Sequence, residues 1–209
     1  ELYQQTPSIS PNVVCAVENS KIIGILVSAI HSEFSGPFSY LSSRSIIVGG
    51  PVLCPKSSVN VLGHMLKNYY ILVRDKCLYT EIRNHWDCNN LKKSMAKLYF
   101  RYEPHLNIIF EIEKNNDLNL KKLRPSKRRS IKLGLKKGVK SEEIKTYHQL
   151  ADYYDSLSIF YKEVVRKPLP DFFFFKNIFD LLVPKNLAKI YAVKDEFGTI
   201  IGGITFLIY

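Results

Sequence analysis

The chain has no apolar run approaching the roughly 20 residues that a membrane-crossing helix needs. Its longest apolar windows, such as Ile22 to Val27 with Gly24 inside it, are far too short. Cysteine is sparse: Cys15, Cys54, Cys77 and Cys88 are scattered, with no C-x-x-C pair and no histidine at metal-ligand spacing. That pattern argues against a zinc site and predicts reduced, mostly buried thiols in a cytoplasmic protein. No G-x-S-x-G elbow, Cys/His couple or H-E-x-x-H pair is present, so hydrolase and zinc-protease chemistry have nothing to stand on. His31, His64, His85, His105 and His148 are dispersed, and each reads as an ordinary surface or core histidine. Glu1-Leu2-Tyr3-Gln4-Gln5 lacks a basic segment followed by an apolar one, which argues against secretion, and the missing initiator Met predicts an upstream segment.

Acidic residues are absent from one place in particular. Between Lys121 and Lys140 there are ten Lys or Arg and no Asp or Glu, so nearly all of the formal net charge of +11 sits in one short stretch. Ile131 and Leu135 are four residues apart, which predicts a helix over about Ser126 to Lys137 with that apolar pair buried and Arg128, Lys132 and Lys136 exposed. Gly138 is the expected stop. A docked basic helix facing phosphates needs such an apolar pair, and a solvated tail does not. With 46% hydrophobic residues over 209 positions, the chain can bury a core in one large or two smaller domains.

Two segments repeat one wording. Val13 to Val17, a turn at Glu18-Asn19-Ser20 and Lys21 to Val27 form a predicted hairpin. Lys189 to Val193, a turn through Asp195-Glu196-Phe197-Gly198 and Thr199 to Ile204 form another, again with Ala-Val before the turn and Ile-Ile-Gly after it. The pair points to a duplicated domain. Between the hairpins the pattern predicts a strand at Phe38 to Leu41, an apolar strand within Ser43 to Pro51, and a helix from Ser58 to Arg74. A strand at Leu78 to Arg83, a short helix through Leu91, Met95 and Leu98, and an alternating strand at Leu106 to Glu113 follow. After the basic stretch come a strand within Val139 to Lys145, a helix from Tyr147 to Val165 broken by Pro168-Leu169-Pro170, and a second helix from Asp171 through Leu182. The four phenylalanines from Phe172 to Phe175 read as core. The alternation is that of an α/β protein.

These residues resemble the FemABX family, the aminoacyl-tRNA-dependent transferases that build peptidoglycan bridges from two GNAT-like units, in a form without the inserted coiled-coil arm. The resemblance is carried by Arg44-Ser45-Ile46-Ile47-Val48-Gly49-Gly50-Pro51, Glu81-Ile82-Arg83-Asn84, His105-Leu106-Asn107, and Arg128-Arg129-Ser130-Ile131-Lys132 with Lys136-Lys137-Gly138-Val139. Pro168-Leu169-Pro170 and Ile201-Gly202-Gly203 are similar as well. It implies tandem GNAT-like units with mixed sheets, the first nearly complete over 1–114, a basic connector at 115–138, and the N-terminal part of a second unit over 139–209. Both ends are then expected to be cut.

The implied reaction moves an aminoacyl group from a tRNA to an amine of a nucleotide-linked or lipid-linked peptidoglycan precursor, with the aminoacyl-tRNA as co-substrate and no other cofactor. Arg128, Arg129, Lys132, Lys136 and Lys137 would face phosphates. Arg44 would project towards a cleft where Gly49 and Gly50 admit a ligand to the backbone. Arg83, with Asn84, would fork onto a phosphate or carboxylate; the structural alternative for both arginines is a salt bridge. The family tends to place an acidic residue after the strand containing Glu81, whereas Arg83-Asn84 stand here, so no catalytic residue is assigned. Two other classes stay open: a nucleic-acid-binding module without chemistry, and an acyl-CoA-dependent N-acyltransferase. The first lacks an RNP-type aromatic motif or G-X-X-G clamp, and the second lacks a Q/R-x-x-G-x-G/A loop. Finally, Ile200 to Tyr209 is apolar on both strand faces, as in a central strand. With its next neighbour missing, it is expected to drive self-association and leave the isolated chain without turnover.

Overall fold

The computed structural model describes residues 1–209 apart from 34–35, 56–58, 85–86, 88, 107 and 209. Ser58, His85, Cys88 and Asn107 of the sequence reading therefore lie outside the described residues. The chain divides into two compact units, Tyr3–Asn107 with Glu1, and Ile108–Tyr209 with Leu2.

In the first unit, β1 (Ile9–Glu18) and β2 (Lys21–His31) form the expected antiparallel hairpin, in register from Ile9 opposite His31 to Glu18 opposite Lys21. Asn19 and Ser20 turn the chain with φ of 48° and 61°, the left-handed pair that a two-residue hairpin loop demands. The expected strand at Phe38 to Leu41 is instead a 3-10 turn at Gly36–Phe38 followed by α1 (Ser39–Ser42). The reason is local. The Ser39 carbonyl accepts from the hydroxyls of both Ser42 and Ser43, an alternative to strand pairing that serines readily supply.

Next come β3 (Arg44–Val48), antiparallel to β2, the short β4 (Val52–Leu53), also on β2, and α2 (Val59–Val73). β5 (Tyr79–Arg83) lies parallel to β3, and α3 (Asn89–Ala96) follows. The path β1-β2-β3-β5 is thus a mixed sheet. Its core is Leu26, Ile30 and Ile47 of the sheet against Leu62, Leu66, Tyr69 and Val73 of α2, the helical spacing read from the sequence. Tyr69 carries a hydroxyl into this layer. Its hydroxyl donates to Ser45 Oγ at 2.6 Å and lies 3.0 Å from Thr80 Oγ1.

Among the described residues of Leu106 to Glu113 the expected strand does not form. Leu106, Ile108 and Ile112 are exposed, and the segment's polar ties run to the helix that follows, α4 (Asn116–Lys122). Asn119 exchanges two hydrogen bonds with the Glu113 backbone, at 2.7 and 2.8 Å, and Lys122 Nζ reaches the Glu111 carbonyl and the Glu113 carboxylate, each at 2.8 Å. Alternation of side chains is insufficient for a strand when side-chain bonds capture the backbone.

The second unit continues with α5 (Pro125–Lys136), whose proline sits at the first helical position. Gly138, at φ 77°, closes it, with Val139 N donating to the Gly134 carbonyl. Then follow β6 (Lys140–Glu143), α6 (Tyr147–Phe160) with a Thr146/Gln149 capping box, a π-helical turn at Tyr161–Val165, and α7 (Phe172–Leu181) capped by Asp171. β7 (Ala188–Lys194) and β8 (Ile200–Leu207) complete an antiparallel sheet in the order β6-β7-β8. Its core joins Leu150 and Tyr153 of α6, Phe175 and Ile178 of α7, and Ala188, Ile190 and Ala192 of β7. Of the four phenylalanines Phe175 is buried, Phe172 and Phe174 pack half-buried against the same core as expected, and Phe173 is exposed. The two hairpins share a detail: each has a register irregularity at its Ala-Val pair or one residue on, between Ala16 and Val17 and between Val193 and Lys194.

β8 has the composition of a central strand and stands at an edge, as expected of it without its next neighbour. Among the described residues it pairs only with β7, and Ile201, Ile204, Phe206 and Leu207 are exposed. What seats β8 is a close approach. A Cβ on Gly203 would collide with the Tyr153 ring and the Tyr191 carbonyl, whereas one on Gly202 would meet nothing. Gly203→Ala is therefore expected to lower the stability of the second unit by about 1–3 kcal/mol, and Gly202→Ala by much less. Urea denaturation of the two variants checks this, and equal midpoints would contradict it.

Candidate functional site

Because Ser45 and Thr80 point to α2, strand alternation turns Arg44 and Tyr79, with Glu81 and Arg83, to the opposite face of the first sheet. His31 is opposite Arg44, which in turn is beside Tyr79, while Ile46 is beside Glu81 and Val48 beside Arg83. On this face Arg44, Glu81 and His31 are half-buried, and Ile46 and Ala29 between them are buried.

At one end of this face Arg44 Nη1 is 3.4 Å from Glu33 Oε1, while its buried Nε has no partner among the described residues. His31 sits beside it, edge-on to the Tyr3 ring at 6.3 Å. Burial, then the positive charges of Arg44 and Arg83, hold the imidazole below its ordinary range, so it is neutral at neutral pH. At the other end Arg83 Nε and Nη2 fork onto Glu81 Oε1 and Oε2 at 2.8 and 3.0 Å. That hydrogen bond holds the Glu81 carboxyl below the usual carboxylate range, against the opposing effect of burial and with help from Arg83, Arg44 and His105. The same bond raises the Arg83 guanidinium further.

Arg83 and Asn84 meet the turn after β3. Gly49 N donates to the Arg83 carbonyl at 2.8 Å. Gly49 and Gly50 take φ of 83° and 70°, and a Cβ on Gly50 would lie 2.6 Å from Asn84 Oδ1. This is the carboxyl end of a parallel strand pair, where open α/β sheets bind ligands. Arg44 stands at the opposite end, four residues or about 13 Å along the strand. The structure therefore brings Arg83, Asn84, Gly49 and Gly50 together, with the Arg44 backbone at the far end of the strand pair. The sequence reading takes His31 as an ordinary histidine and Glu81 only as part of the family resemblance, and it misses Glu33; Glu81-Ile82-Arg83 on a strand does place acid and base on one side.

In the second unit α5 forms as expected. Arg129, Lys132, Lys136 and the capping Lys137 are exposed; Arg128 is half-buried, its Nη1 donating to the Lys121 carbonyl at 3.3 Å. The burial expected of Ile131 and Leu135 is wrong: they are 41% and 66% exposed. The helix instead turns Gly134 towards Val139, 3.9 Å from where a Cβ would stand, and that side is roughly opposite the basic stripe. A cavity of about 260 Å³ in this unit is lined by Glu142, Glu143, Gln149, Asp152 and Lys194, with Lys194 Nζ paired to Glu142 at 2.7 Å. Its residues are too far apart in sequence to have been grouped beforehand.

Among the described residues no group of three or more His, Cys, Asp or Glu is placed to hold a metal. The expectation of mostly buried thiols fails for Cys15 and Cys54, which are exposed; Cys77 is buried, which pushes its thiol up. Cys15 is exposed because its neighbours Val14 and Ala16 take the side of β1 that packs on the core.

No protein-family model and no curated protein matches the chain. Among solved structures, that of FemX superposes with a TM-score of 0.56 at 16% identity, covering 90% of this chain and 49% of that one. The fold is FemX-like. The chain spans about half the length of that FemX chain. A probable acetyltransferase (TM-score 0.34, 14% identity, covering 52% of this chain and 70% of that one) and an integron cassette protein from V. cholerae (0.33, 16%, 54% and 67%) overlap less, and at those scores add nothing to the fold assignment.

The neutral His31 has a consequence for stability. Its folded pKa is below the unfolded value of about 6.5, so the unfolded chain binds the extra proton and stability falls as pH drops through that range. His31→Asn should flatten the loss of urea stability between pH 7 and 5.5, above the range where carboxylates titrate; an unchanged slope would show that His31 is not the group responsible.

Proposed function

We propose that this chain is part of an aminoacyltransferase of the FemX type, which moves an aminoacyl group from a tRNA to an amine of a nucleotide-linked or lipid-linked cell-wall precursor. The observation that carries the reading is the FemX-like fold over 90% of the chain. The exposed basic stripe on α5 supports a phosphate-bearing substrate. In this reading the acceptor amine attacks the acyl carbon of the tRNA ester, a C–N bond replaces the C–O bond, and the tRNA hydroxyl departs with the proton. The protein's task is to hold the two reactants and stabilise the oxyanion, with no covalent intermediate. Arg44, Arg83 and Asn84 are assigned to substrate, and Arg128, Arg129, Lys132, Lys136 and Lys137 to phosphates of the tRNA or the precursor.

Among the described residues no helix is long and apolar enough to cross a membrane, and the proposed site of action is the cytoplasm, where aminoacyl-tRNA is made.

The test uses a tRNA charged with a labelled amino acid. The protein should bind it in a salt-dependent way, and the reversal Arg128→Glu with Lys132→Glu should weaken binding at least thirtyfold and flatten the slope of log affinity against log salt by about 1.5–2. In the full coding protein the label should pass to a nucleotide-linked muropeptide as an amide. Consumption of acyl-CoA instead, or no affinity for either substrate, would overturn the proposal.

A further inference from the structure

The exposure of Ile131 and Leu135 separates two kinds of phosphate partner. Arg128, Ile131, Lys132 and Leu135 follow the i, i+3, i+4, i+7 spacing, so they occupy one face of α5, with Lys136 alongside. Ile131 is 41% and Leu135 66% exposed, and they lie between cations rather than against the core. The helix carries no acidic residue at all. A polynucleotide backbone offers phosphates to the cations but little to the two aliphatic side chains. The surface of an anionic bilayer satisfies both: cations meet headgroup phosphates, and isoleucine and leucine enter the acyl boundary a few ångströms below, as on other interfacial helices.

We propose that this face of α5 docks the protein on an anionic membrane surface, peripherally and reversibly. The inference rests on the reading of α5 as the phosphate-facing helix, and adds the headgroup phosphates of a bilayer to the partners of its cations. With two aliphatic side chains and three cations, attachment is weak and salt-sensitive. It therefore concentrates the protein at the bilayer without anchoring it. Leu133, also exposed, is on another side of the helix and takes no part.

Flotation with vesicles tests this, using phosphatidylcholine alone or with one quarter phosphatidylglycerol at 100 mM salt. The protein should float with the anionic vesicles and stay behind with the neutral ones. Arg128→Gln with Lys132→Gln should weaken vesicle binding about thirtyfold, a loss of about five- to sixfold for each cation removed. Ile131→Ser with Leu135→Ser should weaken it about tenfold while leaving tRNA affinity unchanged. All four residues have exposed or half-exposed side chains, so the variants are expected to fold, and far-UV circular dichroism verifies it. Three results would overturn the proposal: no flotation on anionic vesicles, a serine variant that floats as well as the parent, or a serine variant whose main effect is to dissolve a dimer seen by sedimentation. If the glutamine variant changes neither vesicle nor tRNA binding, the phosphate-facing reading of α5 falls with it, whereas loss of tRNA binding alone removes only the membrane.

Discussion

The placement of the Tyr69 hydroxyl governs the first unit. By bonding Ser45 on β3 and approaching Thr80 on β5, it joins α2 to both members of the parallel pair at once. A buried hydroxyl without partners is costly, and here one phenol satisfies two strands. Strand periodicity then does the rest: once Ser45 and Thr80 face the helix, Arg44, Glu81 and Arg83 have to face away from it. The charged face is in that sense a by-product of the core. The surface ion pairs on it contribute little to stability by themselves.

The second unit relies on a different device, close backbone approach. β8 lies against Tyr153 through Gly203, and α5 is turned off at Gly138, where a Cβ would stand 2.9 Å from the Glu196 Cβ. Both positions are glycines because geometry leaves no room, and in the second case because φ is positive as well.

The elements legible in the sequence were those whose signal is complete within a short window. The hairpins announced themselves as β-branched runs around a turn, and α2 and α5 as 3.6-residue periods with a stop. What failed needed a partner to decide it. Phe38 to Leu41 lost its strand to serine hydroxyls that the pattern does not weigh, and Leu106 to Glu113 alternates correctly but is tied to α4 by Asn119 and Lys122. For Ile131 and Leu135 the spacing told which residues share a face, but not which face meets the core. Arg83 and Asn84 were legible as a pair; their separation from the Arg44 backbone emerged only from the parallel register of β3 and β5.

The fork between Arg83 and Glu81 bears on what can be recognised there. Two residues apart on one strand, the carboxylate is a tethered competitor, present at the guanidinium at a high effective concentration whatever the solution contains. The fork engages the Nε and Nη2 edge of the guanidinium and leaves the Nη1 N–H groups outside it. In the proposed substrate role of Arg83, an incoming anion therefore meets the outer edge beside the resident carboxylate, and reaches the inner edge only by displacing it.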